Sequence, residues 1–164
     1  MAAKTDLSTF NCSLARALNV MGDWWSLLIV RDAFLGSTRF GEFQKSLGIA
    51  RNILAARLDA LVEAGILQRA GTDTRPTYEL TQKGREMAPA LIALMQWGDK
   101  WESANRPPMV ATDEDGTHLM PVRLQNRGGK IVNAGRIRFH PGPGATPRTR
   151  ASLESRLPGK AVKR

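Results

Sequence analysis

The stretch TRFGEFQKSLGIARNILAARLDALVEAGILQRAGTDTRPTYEL, residues 38–80, decides the fold. Phe40, Phe43 and Leu47 recur at the three-and-four spacing that lines one face of a helix, and Gly48 and Ile49 follow as a tight turn. A second helix is predicted over 50–64. Leu54, Leu58 and Leu61 share one of its faces, and Gly65 supplies the left-handed residue that commonly closes a helix. Two helices joined by so short a turn point to a helix-turn-helix. Residues 66–69 and 77–80 then read as short strands around a turn over 70–76 rich in Gly, Thr, Asp and Pro.

With the three leucines inward, Asn52, Ala56 and Asp59 lie roughly opposite, flanked by Arg51, Ala55 and Arg57. A first turn that is small, amidic and cationic suits the major groove of DNA. Arg51 has a donor fork for guanine or phosphate, Asn52 matches an adenine edge, and Ala50 and Ala55 admit close approach. Ordinary core packing yields the same stripe, so the helix alone leaves both readings open. The hairpin favours the first, because a ribbon directly behind a reading helix is a wing. Arg69 and Arg75 are expected to bracket its tip, where a wing meets phosphates or a minor groove; a solvated turn with two stray arginines is the alternative.

Together with its neighbours this region resembles the HxlR family of bacterial winged-helix transcriptional regulators. The resemblance is carried by CSLARALNVMGDWWSLLIVRDAFLG at 12–36, RFGEFQKSLGIARNILAARLDALVEAGIL at 39–67, RPTYELTQKG at 75–84 and ALMQWGDKW at 93–101. It implies a homodimer built largely from the terminal helices. It also implies that a cysteine at the place of Cys12 serves some relatives as an oxidant sensor, the alternative being an inert small side chain. Two positions depart from the family pattern. Trp24 stands where a basic residue commonly precedes the tryptophan matched by Trp25, and Ala50 stands where a serine often begins the reading helix.

The 164 residues, 42% hydrophobic with four tryptophans, suffice for one core. The net charge of +9 points to nucleic acid or an anionic surface, but it is unevenly placed. Residues 1–104 hold 12 basic and 11 acidic side chains, whereas 105–164 hold 12 and 4. The isoelectric point therefore says little about the helix-turn-helix itself. Within 38–58, however, Arg39, Lys45, Arg51 and Arg57 face only Glu42, a local basic patch. A single cysteine excludes an internal disulfide framework and fits a reducing cytoplasm, where the chain is expected. The apolar run Leu27 to Val30 is far short of a membrane span, and no secretory leader is read at the start.

In chain order, residues 1–11 are expected to be a mobile N-terminus and 12–104 the DNA-binding and dimerisation domain. Helices are predicted over 13–21 and 24–35, the second capped by Asp23, and a long helix over 82–103 capped by Thr81 and kinked at Pro89. Leu14 and Leu18, with the seam Leu91, Leu94, Gly98 and Trp101, are the candidate dimerisation residues. Residues 105–144 read as a small β-rich extension and 145–164 as a disordered basic tail. In some members of the family the extension carries paired cysteines suggestive of a zinc ribbon. Here His118 and His140 lack thiolate partners, so neither metal nor cofactor is expected.

The fold class is therefore mainly α with a small β-hairpin wing, a winged helix-turn-helix. The expected partner is double-stranded DNA, bound by a homodimer at an inverted repeat, with an oxidant or small-molecule effector as the controlling signal. A winged helix used for protein interaction is the alternative. An enzyme is not expected, because residues 12–104 contain no histidine, phosphate loop or metal cluster.

Overall fold

The structure is a computed structural model that describes residues 6–72, 74–104 and 106–157. Its contacts form two compact units, Val20–Val122 and the pair of chain ends, Met1–Asn19 with Arg123–Arg164. The domain expected to stop at 104 thus runs on to 122. Gln96 is the reason: its Nε2 donates to the Met120 carbonyl (3.3 Å) and its Oε1 accepts from the Val122 N–H (2.7 Å), fixing that segment to the helix behind it.

Within the first unit the order is the end of α1 (Ser13–Met21), α2 (Trp24–Phe34), α3 (Phe40–Leu47), α4 (Arg51–Glu63), β1 (Leu67–Thr72), β2 (Arg75–Leu80), α5 (Gln82–Arg85) and α6 (Ala88–Trp101). Asp23 caps α2, its Oδ1 accepting from the Ser26 N–H and its Oδ2 from the Ser26 hydroxyl (2.9 and 2.8 Å), which satisfies an orphan donor of the first turn. Gly48 (φ 61°) closes α3 and Gly65 (φ 68°) follows α4, both in the left-handed region where glycine is unstrained. The leucine stripe of α4 is wholly buried and meets Ile29 and Val30 of α2, with Phe43 of α3 set edge-on to Tyr78 of β2 (6.4 Å, 81°). Truncating one such leucine to alanine typically costs about 2–5 kcal/mol.

The hairpin is longer than its sequence suggests. Pairing runs from Leu67 opposite Leu80 to Thr72 opposite Arg75, so the turn is short and residues 70–72, 75 and 76 belong to the strands. In a two-stranded ribbon both strands are edges, so Pro76, which lacks an N–H, is tolerated opposite Gly71. The Tyr78 N–H donates to the Thr38 carbonyl (2.7 Å) and Arg39 bridges Thr77 antiparallel, tying the ribbon to the entrance of α3.

The single kinked helix expected over 82–103 is instead two. Thr81 caps α5, accepting from the Gly84 N–H (3.1 Å), while Pro89 stands in the first turn of α6. A proline has no donor to lose in that position, and its ring suits the helix start, so it begins a helix where a kink was predicted.

The β-rich extension is reduced to two isolated bridges, Thr112 with His118 and Gln125 with Ile131. Each closes a turn of the same design. Asp113 Oδ1 accepts from the N–H groups of Asp115 and Thr117, Asn126 Oδ1 from those of Gly128 and Lys130, and Gly116 and Gly129 take the positive φ. These side chains satisfy locally the amides that longer strands would have paired.

In the second unit α7 (Pro147–Glu154) corrects the reading of 145–164 as disordered. Thr146 caps it and Pro147 opens it, a favourable start that outweighs the polar composition. Nor are residues 6–11 free: Asn11 Nδ2 donates to the Gly144 carbonyl (2.9 Å), its Oδ1 accepts from the Thr146 N–H (3.0 Å), and the Leu7 N–H donates to Asn19 Oδ1 (3.1 Å). The remainder of both expected disordered ends, 1–5 and 158–164, lies outside the described residues.

Gly84 shows how tightly α5 seats on the strand junction. A Cβ there would press into the Ile66 carbonyl oxygen and lie 2.9 Å from Leu80 Cδ2. Gly84→Ala should therefore destabilise the protein by about 1–3 kcal/mol, despite alanine's better helix propensity, read as a fall in the urea midpoint at unchanged slope.

Candidate nucleic-acid interface

The reading helix presents its first turns outward. Its N-cap, Ala50, offers no side-chain acceptor, so Ala50 contributes its carbonyl to the first helical bond and leaves the leading amides unpaired by a side chain. Arg51 and Asn52 are exposed, Ala55 is half-buried, and Leu54 behind them is fully buried. Lys45 is exposed on the last turn of α3.

Three guanidinium groups share one hollow. A cavity of about 520 Å³ is lined by Arg39 at the start of α3, Arg51 at the start of α4 and Arg75 at the start of β2, with Phe40 and Tyr78 among its walls. Arg51 lies over the Phe40 ring, 5.2 Å from the centroid to the guanidinium carbon, a stacking that orients the cation. Glu42 is bound to the backbone at the entrance of α3, beside Arg39. Its Oε2 accepts from the N–H groups of Thr38 (2.8 Å) and Arg39 (2.9 Å), and those two bonds, the Thr38 one first, hold its carboxyl below the ordinary value. Among the described residues no acidic side chain lines the hollow.

Two expected contacts are placed elsewhere. Arg57 is half-buried and paired with Asp23 (3.3 Å), and its Nε is enclosed without a hydrogen bond, so this cation braces α4 against the cap of α2. Helical periodicity sets it on a flank, and only the position of Asp23 shows that the flank faces inward. Arg69 lies mid-strand opposite Tyr78, away from the tip, with its guanidinium paired to Asp59 and 5.9 Å from the Tyr78 ring. Among the wing arginines, Arg75 alone stands beside the turn.

The seam expected on α6 is open at Leu94 and Trp101 and closed at Leu91. Leu91 is buried in the unit at 8% exposure, whereas Leu94, Trp97 and Trp101 are each more than half exposed. The open stripe is 94–97–101, and Trp97, missed in the sequence, carries the three-and-four spacing that would have revealed it. A Cβ at Gly98 would meet nothing within 4 Å. In the other unit Leu14 and Leu18 are exposed on α1, and Cys12, also exposed, lines a cavity with Arg16 and His140.

Among the described residues no helix is long and apolar enough to cross a membrane, and no three His, Cys, Asp or Glu are grouped to hold a metal.

Comparison with known proteins places this geometry. The family model for HxlR-like helix-turn-helix proteins matches residues 20–106. An HTH-type transcriptional regulator of Mycobacterium tuberculosis strain H37Rv is 37% identical over 137 residues, covering 80% of this chain and 87% of that protein. The crystal structure of PA1607, described as a transcription factor, is 44% identical with a TM-score of 0.74, covering 82% of this chain and 98% of its own. A second described transcription factor, from Pseudomonas aeruginosa, is 35% identical with a TM-score of 0.62, covering 87% of this chain and all of its own. A winged hairpin tied to a leucine-backed helix, a basic hollow beside them and these likenesses agree: the chain belongs to the HxlR-like helix-turn-helix family and is a transcriptional regulator of the helix-turn-helix type.

Proposed function

We propose that the protein binds operator DNA as a homodimer, each copy laying the first turns of α4 in a major groove of an inverted repeat with half-sites about one helical turn, or a multiple of it, apart. The observation that carries this reading is the shared hollow of Arg39, Arg51 and Arg75, three guanidinium groups that make a seat for backbone phosphates beside the leading end of the helix. Asn52 and Ala55 are then the residues nearest the base edges, and Arg51, stacked on Phe40, joins the phosphate group.

A quantitative binding assay on randomised and selected duplexes tests the division of labour. Arg39→Ala and Arg75→Ala should weaken all sequences alike and each reduce the log–log salt slope by about one. Asn52→Ala should cost about 1–3 kcal/mol and relax one base position. Retention of the full salt slope in the Arg39→Ala, Arg75→Ala double variant would remove the seat from the interface. Absence of any salt-sensitive duplex binding, with a stable protein partner, would favour the interaction-module alternative.

The homodimer is supported by the open stripe of α6, two tryptophans and a leucine in successive turns, each more than half exposed. The double substitution Leu94→Glu, Trp97→Glu should give a folded monomer in sedimentation, with operator affinity reduced at least tenfold; a dimer of unchanged strength would place the contact elsewhere.

Redox control is read at Cys12, an exposed thiol at the threshold of α1. Peroxide should release the wild-type protein from its operator and leave Cys12→Ser bound. Equal release of both would assign the response to another group.

A further inference from the structure

Behind the DNA-facing surface lies a cavity of about 430 Å³, within the range of roughly 300–1,000 Å³ usual for small-molecule sites. The end of α2 supplies Arg31, Phe34 and Leu35, α6 supplies Leu91 and Met95, and residues 109–112 with Leu119 form the far wall. Gln96 ties the segment just after Leu119 to α6 through both of its amide atoms.

The lining is apolar apart from Arg31 and the Thr112 hydroxyl. Arg31 is anchored, with Nε and Nη2 both donating to Oδ1 of the buried Asp32 (2.9 and 2.6 Å), which leaves Nη1 without a hydrogen bond among the described residues. An anchored guanidinium with spare hydrogens at the wall of an otherwise apolar cavity can offer one to an acceptor. Its charge, however, is already balanced by Asp32, and Asp99 stands with His118 in the adjoining cleft. An anionic ligand would gain little from a guanidinium already paired with Asp32, and a cationic one would face that guanidinium, whereas an uncharged oxygen meets neither penalty.

We propose that this cavity binds a small uncharged apolar molecule bearing one carbonyl oxygen, which accepts from the Arg31 guanidinium while the hydrocarbon body packs among Phe34, Leu91, Met95 and Leu119. As the seat of an effector the site rests on the regulator reading; as a binding site it stands apart from it.

The test titrates the full chain, by calorimetry, with three probes sharing a phenylalkyl body: 4-phenylbutan-2-one, 3-phenylpropionate and 3-phenylpropylammonium. The ketone should bind about tenfold or more tighter than either ion. Leu119→Trp, which fills the cavity from its exposed wall, should abolish ketone binding, and Arg31→Met should weaken it about tenfold. Because Arg31→Met strands the buried Asp32 carboxylate, Leu119→Trp decides the outcome if that variant does not fold. Equal binding of all three probes, binding of none, or ketone binding that survives Leu119→Trp overturns the proposal. Loss of dimer in Leu119→Trp, with no ketone bound to wild type, overturns it too and assigns the cavity to a second copy of the chain. Duplex binding by ligand-free protein is measured alongside, so a failed titration with intact duplex binding refutes the cavity and leaves the regulator reading in place.

Discussion

Burial of one leucine stripe sets everything else. Leu54, Leu58 and Leu61 enter the core together, and because a helix is rigid their burial fixes the rotation of α4 about its axis. Asn52 is outward because Leu54 is inward. The same core holds Phe43 against Tyr78, and Tyr78 reaches back through its N–H to Thr38, so the wing and the entrance of α3 are placed by the packing that orients the helix. A cationic hollow assembled from α3, α4 and β2 is therefore preorganised. None of its three arginines depends on DNA to be brought near the others.

Local charge then prevails over total charge. The unit that carries the helix-turn-helix is close to neutral, yet four of its acids are held by particular partners: Asp23 by Arg57 and the cap of α2, Asp59 by Arg69, Glu42 by two backbone amides, Asp32 by Arg31. The lining of the hollow, among the described residues, is left with three cations and no acid. At physiological salt the Debye length is about 8 Å, so a phosphate at the hollow senses these three guanidinium groups more than distant carboxylates on the same domain.

How far the sequence could be read follows from the same distinction between local and long-range causes. Helix starts and stops at Asp23, Gly48, Gly65 and Thr81 were readable because capping acts within four residues, and the buried face of α4 because periodicity is local. Arg57 and Arg69 were misplaced because their fates depend on Asp23 and Asp59, partners on another element or another turn that no spacing rule connects. Pro89 has two lawful uses, interior kink or first-turn residue, and the choice lay in whether Met87 would begin a new helix. The extension misled for a different reason. Alternation suggested strands, but Asp113 and Asn126 satisfy their own turns and leave each ladder one bridge long.

The placement of α2 connects the two halves of this argument. Its N-terminal cap is bonded by ion pair to Arg57 of the reading helix, its middle carries Ile29 and Val30 into the shared core, and its last turn contributes Arg31, Phe34 and Leu35 to the cavity beside α6. A molecule in that cavity therefore touches an element that contacts α4 directly. Contact alone transmits nothing, since a ligand shifts an equilibrium only by its difference in affinity between two arrangements. Within α2 the Arg31–Asp32 pair stands at this cavity, and among the described residues the buried Asp32 Oδ2 accepts no hydrogen bond. Leaving a buried acceptor unpaired costs about 1–3 kcal/mol, the scale of the coupling energies through which small effectors act.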